Sequence, residues 1–194
     1  MESMSRYLGE LKGLLGQLPL QQLEEICGLL FRAYEEGRTI FIFGNGGSAA
    51  LASHMACDLG KGVYGPPRTK GADTAGKFLK VLSLTDNVPM MTAWANDASY
   101  DEVFARQMEI LIQPGDLAFG ISTSGNSPNV LRALELARRK GAVTLGFTGR
   151  QGGKMKPLLD YGICVPSDHV QQIEDLHLIL MHLVFLDLKR RIGG

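Results

Sequence analysis

The 194-residue sequence has no surplus of either charge: 20 lysines and arginines stand against 20 aspartates and glutamates, for a formal net charge of zero. Without a net positive charge it lacks the basic field that carries non-specific nucleic-acid binding. Cysteine is scarce. Cys27, Cys57 and Cys164 are odd in number and widely spaced, which fits free thiols in a reducing compartment better than a disulfide framework. No apolar run approaches the roughly 20 residues of a membrane-spanning helix. No charged segment followed by an apolar stretch opens the chain, so no signal peptide is read there. The expectation is a cytoplasmic protein with neither a nucleic-acid nor a membrane partner. Its length and 45% hydrophobic content suit one domain with a full core.

Leucine is plentiful near the start. Leu8, Leu11, Leu15 and Leu18, then Leu23, Ile26, Leu29 and Leu30, follow the threes and fours of a helix. Pro19 interrupts the run, which predicts two helices or one kinked helix, and Gly37 closes it. Residues 1–37 therefore read as an N-terminal helical extension, and residues 38–194 as an α/β core of the same domain. Five short apolar runs follow: Thr39–Phe43, Leu79–Leu84, Leu117–Ile121, Val143–Phe147 and Tyr161–Val165. Helical segments are predicted between them at Ala49–Lys61, Tyr100–Ile112 and Pro128–Lys140, with a shorter one at Lys154–Leu159. Strands that are continuously apolar and alternate with helices indicate a five-stranded parallel sheet sandwiched between helices. Such a sheet binds ligands at the carboxyl ends of its strands. The glycine- and proline-rich segment Gly62–Lys77, with Arg68, Lys70 and Lys77, reads either as a lid bringing a basic wall over an anion or as a plain connection. The last helix, from about Val170 to Lys189, is apolar on nearly every side between Leu176 and Leu188, which suggests a subunit interface.

Two of the strand ends carry anion-binding chemistry. After the first comes Gly44-Asn45-Gly46-Gly47-Ser48, a loose match to the dinucleotide fingerprint. No lysine follows these glycines as a P-loop requires, and no acidic residue stands about 20 positions on to hold a ribose, so a nucleotide is disfavoured. After the third strand, Ser122, Thr123, Ser124 and Ser127 place four hydroxyls ahead of Pro128, where a helix begins. Backbone N–H groups and hydroxyls at a helix N-terminus suit a phosphate; a simple Ser127 N-cap is the alternative. The chemistry-bearing residues lie on two helices. His54 and Asp58 are four apart and share a face, and Glu174 and His182 are two turns apart, offset by about 80°. Zinc accepts their nitrogen and oxygen donors. His177 lies about 140° from His182 and is expected to point elsewhere. A surface pair and core histidines are the competing explanation. Aldose–ketose isomerisation fits the inventory: a base for the carbon-bound proton, a second group for the oxygens, and a cation for the enediolate.

The motifs GNGGS, His54-x-x-x-Asp58, Asn96-Asp97, GISTSGNS, TG…GGKM and the late E-x-x-H-x-x-x-x-H helix run in this order over nearly the whole chain. In this the chain resembles the SIS (sugar isomerase) domain family, and within it the bacterial phosphoheptose isomerases. The resemblance implies a flavodoxin-like SIS fold assembled as a homotetramer with sites between subunits. It further implies conversion of D-sedoheptulose 7-phosphate to D-glycero-D-manno-heptose 7-phosphate through an enediol. Asn45, Gly46, Gly47 and Ser48 would line the substrate; Asn96 and Asp97 would hold sugar hydroxyls; Ser122, Thr123, Ser124 and Ser127 would hold the phosphate. One zinc per subunit would sit between His54, Asp58, Glu174 and His182. Asp58 would be the enediol base and His182 the partner acid, with Asp58 and Glu174 also touching substrate. The sequence departs from the family at four places: Asp58 and Glu174 stand where glutamate and glutamine are usual, Gly62 where arginine is expected, and Gln171 where aspartate is common. Alternative readings are an isomerase of a different ketose phosphate, or a non-catalytic SIS protein that binds a sugar phosphate or a replication initiator.

Overall fold

Proline sets the first break in the chain. Helices α1 (Glu2–Leu15) and α2 (Leu20–Glu36) are separate, with Pro19 in the position just before α2, where its missing N–H costs nothing. The computed structural model describes residues 2–65 and 76–193. Beyond α2 the chain runs through β1 (Thr39–Gly44), α3 (Gly47–Gly62) and a two-residue antiparallel ladder of β2 (Tyr64–Gly65) with β3 (Lys77–Phe78). Then come β4 (Lys80–Ser83), α4 (Val88–Asp97), a 3-10 turn at Tyr100–Glu102 leading into α5 (Val103–Glu109), and β5 (Leu117–Ser122). The chain ends with α6 (Pro128–Arg139), β6 (Val143–Thr148), a 3-10 segment at Gly153–Leu158, β7 (Tyr161–Cys164) and α7 (Val170–Gly193).

The five main strands pair in the order β4-β1-β5-β6-β7, every pair parallel. Alternate residues of each strand enter opposite layers. Ile40, Ile42, Phe119, Ile121 and Phe147 pack with α2, α3 and α7 on one face. Phe41, Phe43 and Ala118 pack with α5 and α6 on the other. Because both faces are covered, the strands read as unbroken apolar runs instead of alternating ones. Chain order reverses between β1 and β5, so the crevice that such a sheet offers a ligand opens at Gly44 and Ser122.

Three expectations need correction. The helix expected over Tyr100–Ile112 begins as a 3-10 turn and its α-helical part stops at Glu109. The segment expected to be helical at Lys154–Leu159 is 3-10, with Pro157 inside it removing an N–H donor. Helix α4 was not foreseen; none of its residues is fully buried, and its inward stripe of Met91, Trp94 and Ala95 is short and partly buried. Within the segment considered as a lid, residues 66–75, with Arg68 and Lys70, lie outside the described residues. Lys77 belongs to no anion wall: its Nζ donates to Glu35 O at 2.6 Å and lies over the Tyr34 ring.

Candidate active site

The turn between β1 and α3 is built for close approach. Gly46 has φ 55° and ψ −122°, a backbone state that side chains disfavour. A methyl group on Gly47 would overlap the Glu174 carboxylate, so the start of α3 and the start of α7 meet there. Asn45 uses its amide to join loops. Its Nδ2 donates to Asn129 Oδ1 at 2.8 Å, while its Oδ1 accepts from Asn129 Nδ2 at 2.9 Å and from Tyr100 Oη at 3.1 Å. Nothing in the local sequence marks this bond, because its partner is 84 positions away.

The hydroxyl loop follows β5. Ser127 occupies the N-cap position of α6, but its hydroxyl makes no cap bond and lies 3.1 Å from Ser122 Oγ. Within the loop Gly125 N–H donates to Ser122 Oγ and Asn126 N–H to Ser124 Oγ, each at 3.2 Å, beside the helix N-terminus where partial positive charge gathers. Gly125 (φ 64°) is pressed onto Gly152: a methyl group there would run into the Gly152 carbonyl. Gly149 N–H donates to Thr123 O at 2.9 Å, and Met155 N–H to Gly125 O at 2.9 Å, so the turn after β6 supports the loop from behind. Thr123 and Ser124 border a cleft of about 320 Å³ together with Arg150, which is paired with Asp168 at 2.5 Å. Arg150 is a cation near this loop that sequence reasoning passed over.

His54 and Asp58 on α3 meet His182 on α7. One ligand atom from each lies within 4.8 Å of the other two, His54 Nε2 is 3.4 Å from Asp58 Oδ2, and the two imidazole rings stand edge to face with centroids 5.3 Å apart. Two imidazoles and a carboxylate form a set that zinc accepts, with a fourth position left open. Glu174 does not join this cluster. Eight residues at 1.5 Å each separate it from His182 by about 12 Å along α7. Its carboxylate faces Gly47 instead, on the wall of a cavity of about 280 Å³ between α3 and α7 that Ser48, His54 and His177 also line.

Comparison with known proteins places this arrangement. Residues 6–149 match the SIS domain family. The chain belongs to the SIS domain family. It is 38% identical to "Phosphoheptose isomerase" of Aquifex aeolicus over 184 residues, which is 95% of this chain and 92% of that protein. It is 44% identical to the protein of the same name from Helicobacter pylori strain P12 over 84% of this chain and 81% of the relative. Among solved structures, phosphoheptose isomerase GmhA from Neisseria gonorrhoeae superposes with a TM-score of 0.85 at 28% identity, covering 97% of this chain and 98% of that one.

Other residues of this SIS domain are placed as follows. Asn96 and Asp97 end α4 and are exposed, with Asn96 Nδ2 donating to Asp97 Oδ1 at 2.8 Å. At the C-terminal end of β4, Thr85 Oγ1 lies 2.6 Å from Ser83 Oγ and 3.0 Å from Ser53 Oγ, and Ser53 also bonds Asp86. This group pins the turn of α3 that precedes His54; its members are too scattered in sequence to have been grouped by spacing. At Gly62, where the resemblance leads to the expectation of arginine, a methyl group would come within 2.6 Å of the Phe185 ring. Gln171 is exposed, with its Oε1 3.3 Å from His169 Nδ1. His177 points away from His182, as its angle on the helix implied, and is buried.

Proposed function

We propose that this chain is an aldose–ketose isomerase of the phosphoheptose type, taking D-sedoheptulose 7-phosphate to D-glycero-D-manno-heptose 7-phosphate. The observation that carries the reading is the convergence of His54 and Asp58 on α3 with His182 on α7, in an SIS fold. The relatives, named phosphoheptose isomerase and aligned over most of their length, support it. In this reading Ser122, Thr123, Ser124 and Ser127 hold the phosphate. Asn45, Gly46, Gly47 and Ser48 form the wall along the sugar, and Asn96 and Asp97 receive its hydroxyls. Asp58 takes a proton from C-1 of the ketose, leaving the 1,2-enediol. His182 passes a proton between O-1 and O-2, and the proton on Asp58 returns to C-2. His54, Asp58 and His182 would hold a divalent cation, zinc by their donor types. When bound, that cation supplies Lewis-acid stabilisation of enediolate charge. Glu174 is assigned here to substrate, because it lines the cavity and stands apart from the cluster.

Assembly as a homotetramer with sites between subunits belongs to the same reading. His182 lies on an exposed stripe of α7 between Leu178, 37% exposed, and Leu186, 59% exposed. An enediol has to be kept from water, and a second subunit laid on this stripe would cover it. Residence in the cytoplasm is supported by the three cysteines, all free thiols.

The test is isotope exchange. Purified protein incubated in D2O with D-sedoheptulose 7-phosphate is expected to place deuterium at C-2 of the product and C-1 of the substrate. Chelation should stop the exchange and added zinc should restore it. Absence of label, in protein that still binds the sugar, would sink the reading.

A further inference from the structure

Asn45 stands where β1 ends, one residue past the pairing of Gly44 with Ile121, and so beside Ser122. It is two residues beyond Phe43, which enters the layer of α5 and α6, and its side chain turns the same way, to Asn129 in the first turn of α6. Two residues before Asn129 is Ser127, whose hydroxyl lies 3.1 Å from that of Ser122. The Asn45 amide therefore ties the glycine turn to the helix start behind the hydroxyl loop. Asn129 is buried; Asn45 is only half-buried.

One backbone group fixes which way this amide faces. Val130 N–H donates to Asn129 Oδ1 at 2.9 Å, and an N–H can only donate, so the Asn129 oxygen is set there. The same Oδ1 accepts from Asn45 Nδ2 at 2.8 Å, and Asn129 Nδ2 returns a bond to Asn45 Oδ1 at 2.9 Å. Reversing Asn45 alone would set nitrogen against nitrogen and oxygen against oxygen. The second lone pair of Asn45 Oδ1 takes the Tyr100 hydroxyl at 3.1 Å, and Tyr100 must be the donor because an amide oxygen only accepts. Both lone pairs of the oxygen are thus in use, and so is one of the two N–H groups. What Asn45 has left is a single N–H, the one antiparallel to its carbonyl, with no partner among the described residues.

A side chain reduced to one donor cannot accept from a sugar hydroxyl. It suits an oxygen that carries no proton, and beside Ser122 and Ser127 the substrate oxygens of that kind are those of the phosphate. We propose that Asn129 and Tyr100 are positioning residues that hold the Asn45 amide with one N–H free, so that Asn45 donates a hydrogen bond to the phosphate of the substrate. The inference rests on the part of the isomerase reading that seats the phosphate on the hydroxyl loop, and it moves the Asn45 side chain to the phosphate end of the sugar wall. Asn129 sets the direction of the amide. Tyr100 occupies the lone pair that would otherwise take a ligand hydroxyl or water.

The first test is spectroscopic. In 15N-labelled wild-type protein the side-chain amide of Asn45, assigned by its loss in Asn45→Ala, gives two proton resonances. The proton antiparallel to the carbonyl should move downfield when inorganic phosphate is added, while the proton bonded to Asn129 stays in place. The second test is kinetic. Asn129→Leu releases the amide and should raise KM for D-sedoheptulose 7-phosphate about tenfold, with kcat within about threefold of wild type. In an Asn45→Ala background the same substitution should raise KM no further, since its effect passes through Asn45. Tyr100→Phe, at an exposed position, should raise KM about threefold. A shift seen with the sugar phosphate but absent with inorganic phosphate, additive effects of Asn45→Ala and Asn129→Leu on KM, or an unchanged KM in Tyr100→Phe overturns the proposal. Should Asn129→Leu fail to fold, the wild-type spectrum and Tyr100→Phe decide. Wild-type protein whose Asn45 proton answers phosphate without any isotope exchange sinks the isomerase reading and keeps this assignment; exchange without the proton shift does the reverse.

Discussion

His177 gives the molecule a pH dependence that a single residue can account for. Its folded pKa of about 4 lies below the ordinary histidine value of 6.5. Between those values the unfolded chain binds the proton and the folded chain does not, so the stability contribution is complete above about pH 6.5 and is lost as pH falls toward 4. At about 1.4 kcal/mol per pH unit, wild type should lose about 2 kcal/mol more than His177→Gln between pH 7 and pH 5, measured by urea denaturation. Glu174, Asp175 and His54 line the same cavity and remain in both proteins, so the difference isolates residue 177. Asp58→Asn removes the proposed base without changing side-chain size. It should lower kcat by on the order of 10²–10⁴, read by the same isotope exchange, with the helical circular dichroism unchanged. At this scale the sequence was legible where helical angle was enough: His54 with Asp58, and His182 apart from His177. It was not legible at Asn45, whose amide is held by Asn129.

Among elements, the strands were the most readable. A parallel sheet covered on both faces needs unbroken apolar runs, and each of the five runs became a strand to within two residues at either end. Helix α4 was hidden for another reason: the stripe it turns to the core, Met91, Trp94 and Ala95, spans barely more than one turn and is only partly buried. The 3-10 segment Gly153–Leu158 was misread as helix since its hydrogen bonds serve the neighbouring loop, as when Lys154 N–H donates to Asn126 Oδ1 at 3.1 Å. That loop contact supports a prediction of its own. Gly125→Ala introduces a side chain at φ 64° and drives it into the backbone of Gly152, where no rotamer change can relieve the overlap. A cost of about 1–3 kcal/mol is expected from strain of this kind, seen as a lower melting temperature. The KM for sugar phosphate should rise with it, because the same displacement moves the hydroxyls of Ser122 and Ser127.

For the molecule as a whole, large apolar side chains are left exposed on several elements, among them Met4 and Leu8 on α1, Leu82 on the edge strand β4, Val88 on α4, and Leu178 and Leu186 on α7. If the site is completed between subunits, the double variant Leu178→Asp, Leu186→Asp should sediment as a smaller species and lose isotope exchange while keeping its helical circular dichroism. Full activity from a monomer would remove the interface from the mechanism. The apolar last helix carries the expectation of a subunit interface; which side of it meets the core depends on packing against α2 and α3, which spacing alone does not encode. The support of the serine loop by the turn after β6 has a further consequence for anyone wishing to transplant the loop proposed to hold phosphate. The six residues STSGNS are not a portable cassette. Gly125 needs Gly152 opposite it, and Thr123 and Gly125 need the amides of Gly149 and Met155, so a working graft must carry the ends of two adjacent parallel strands and both following turns.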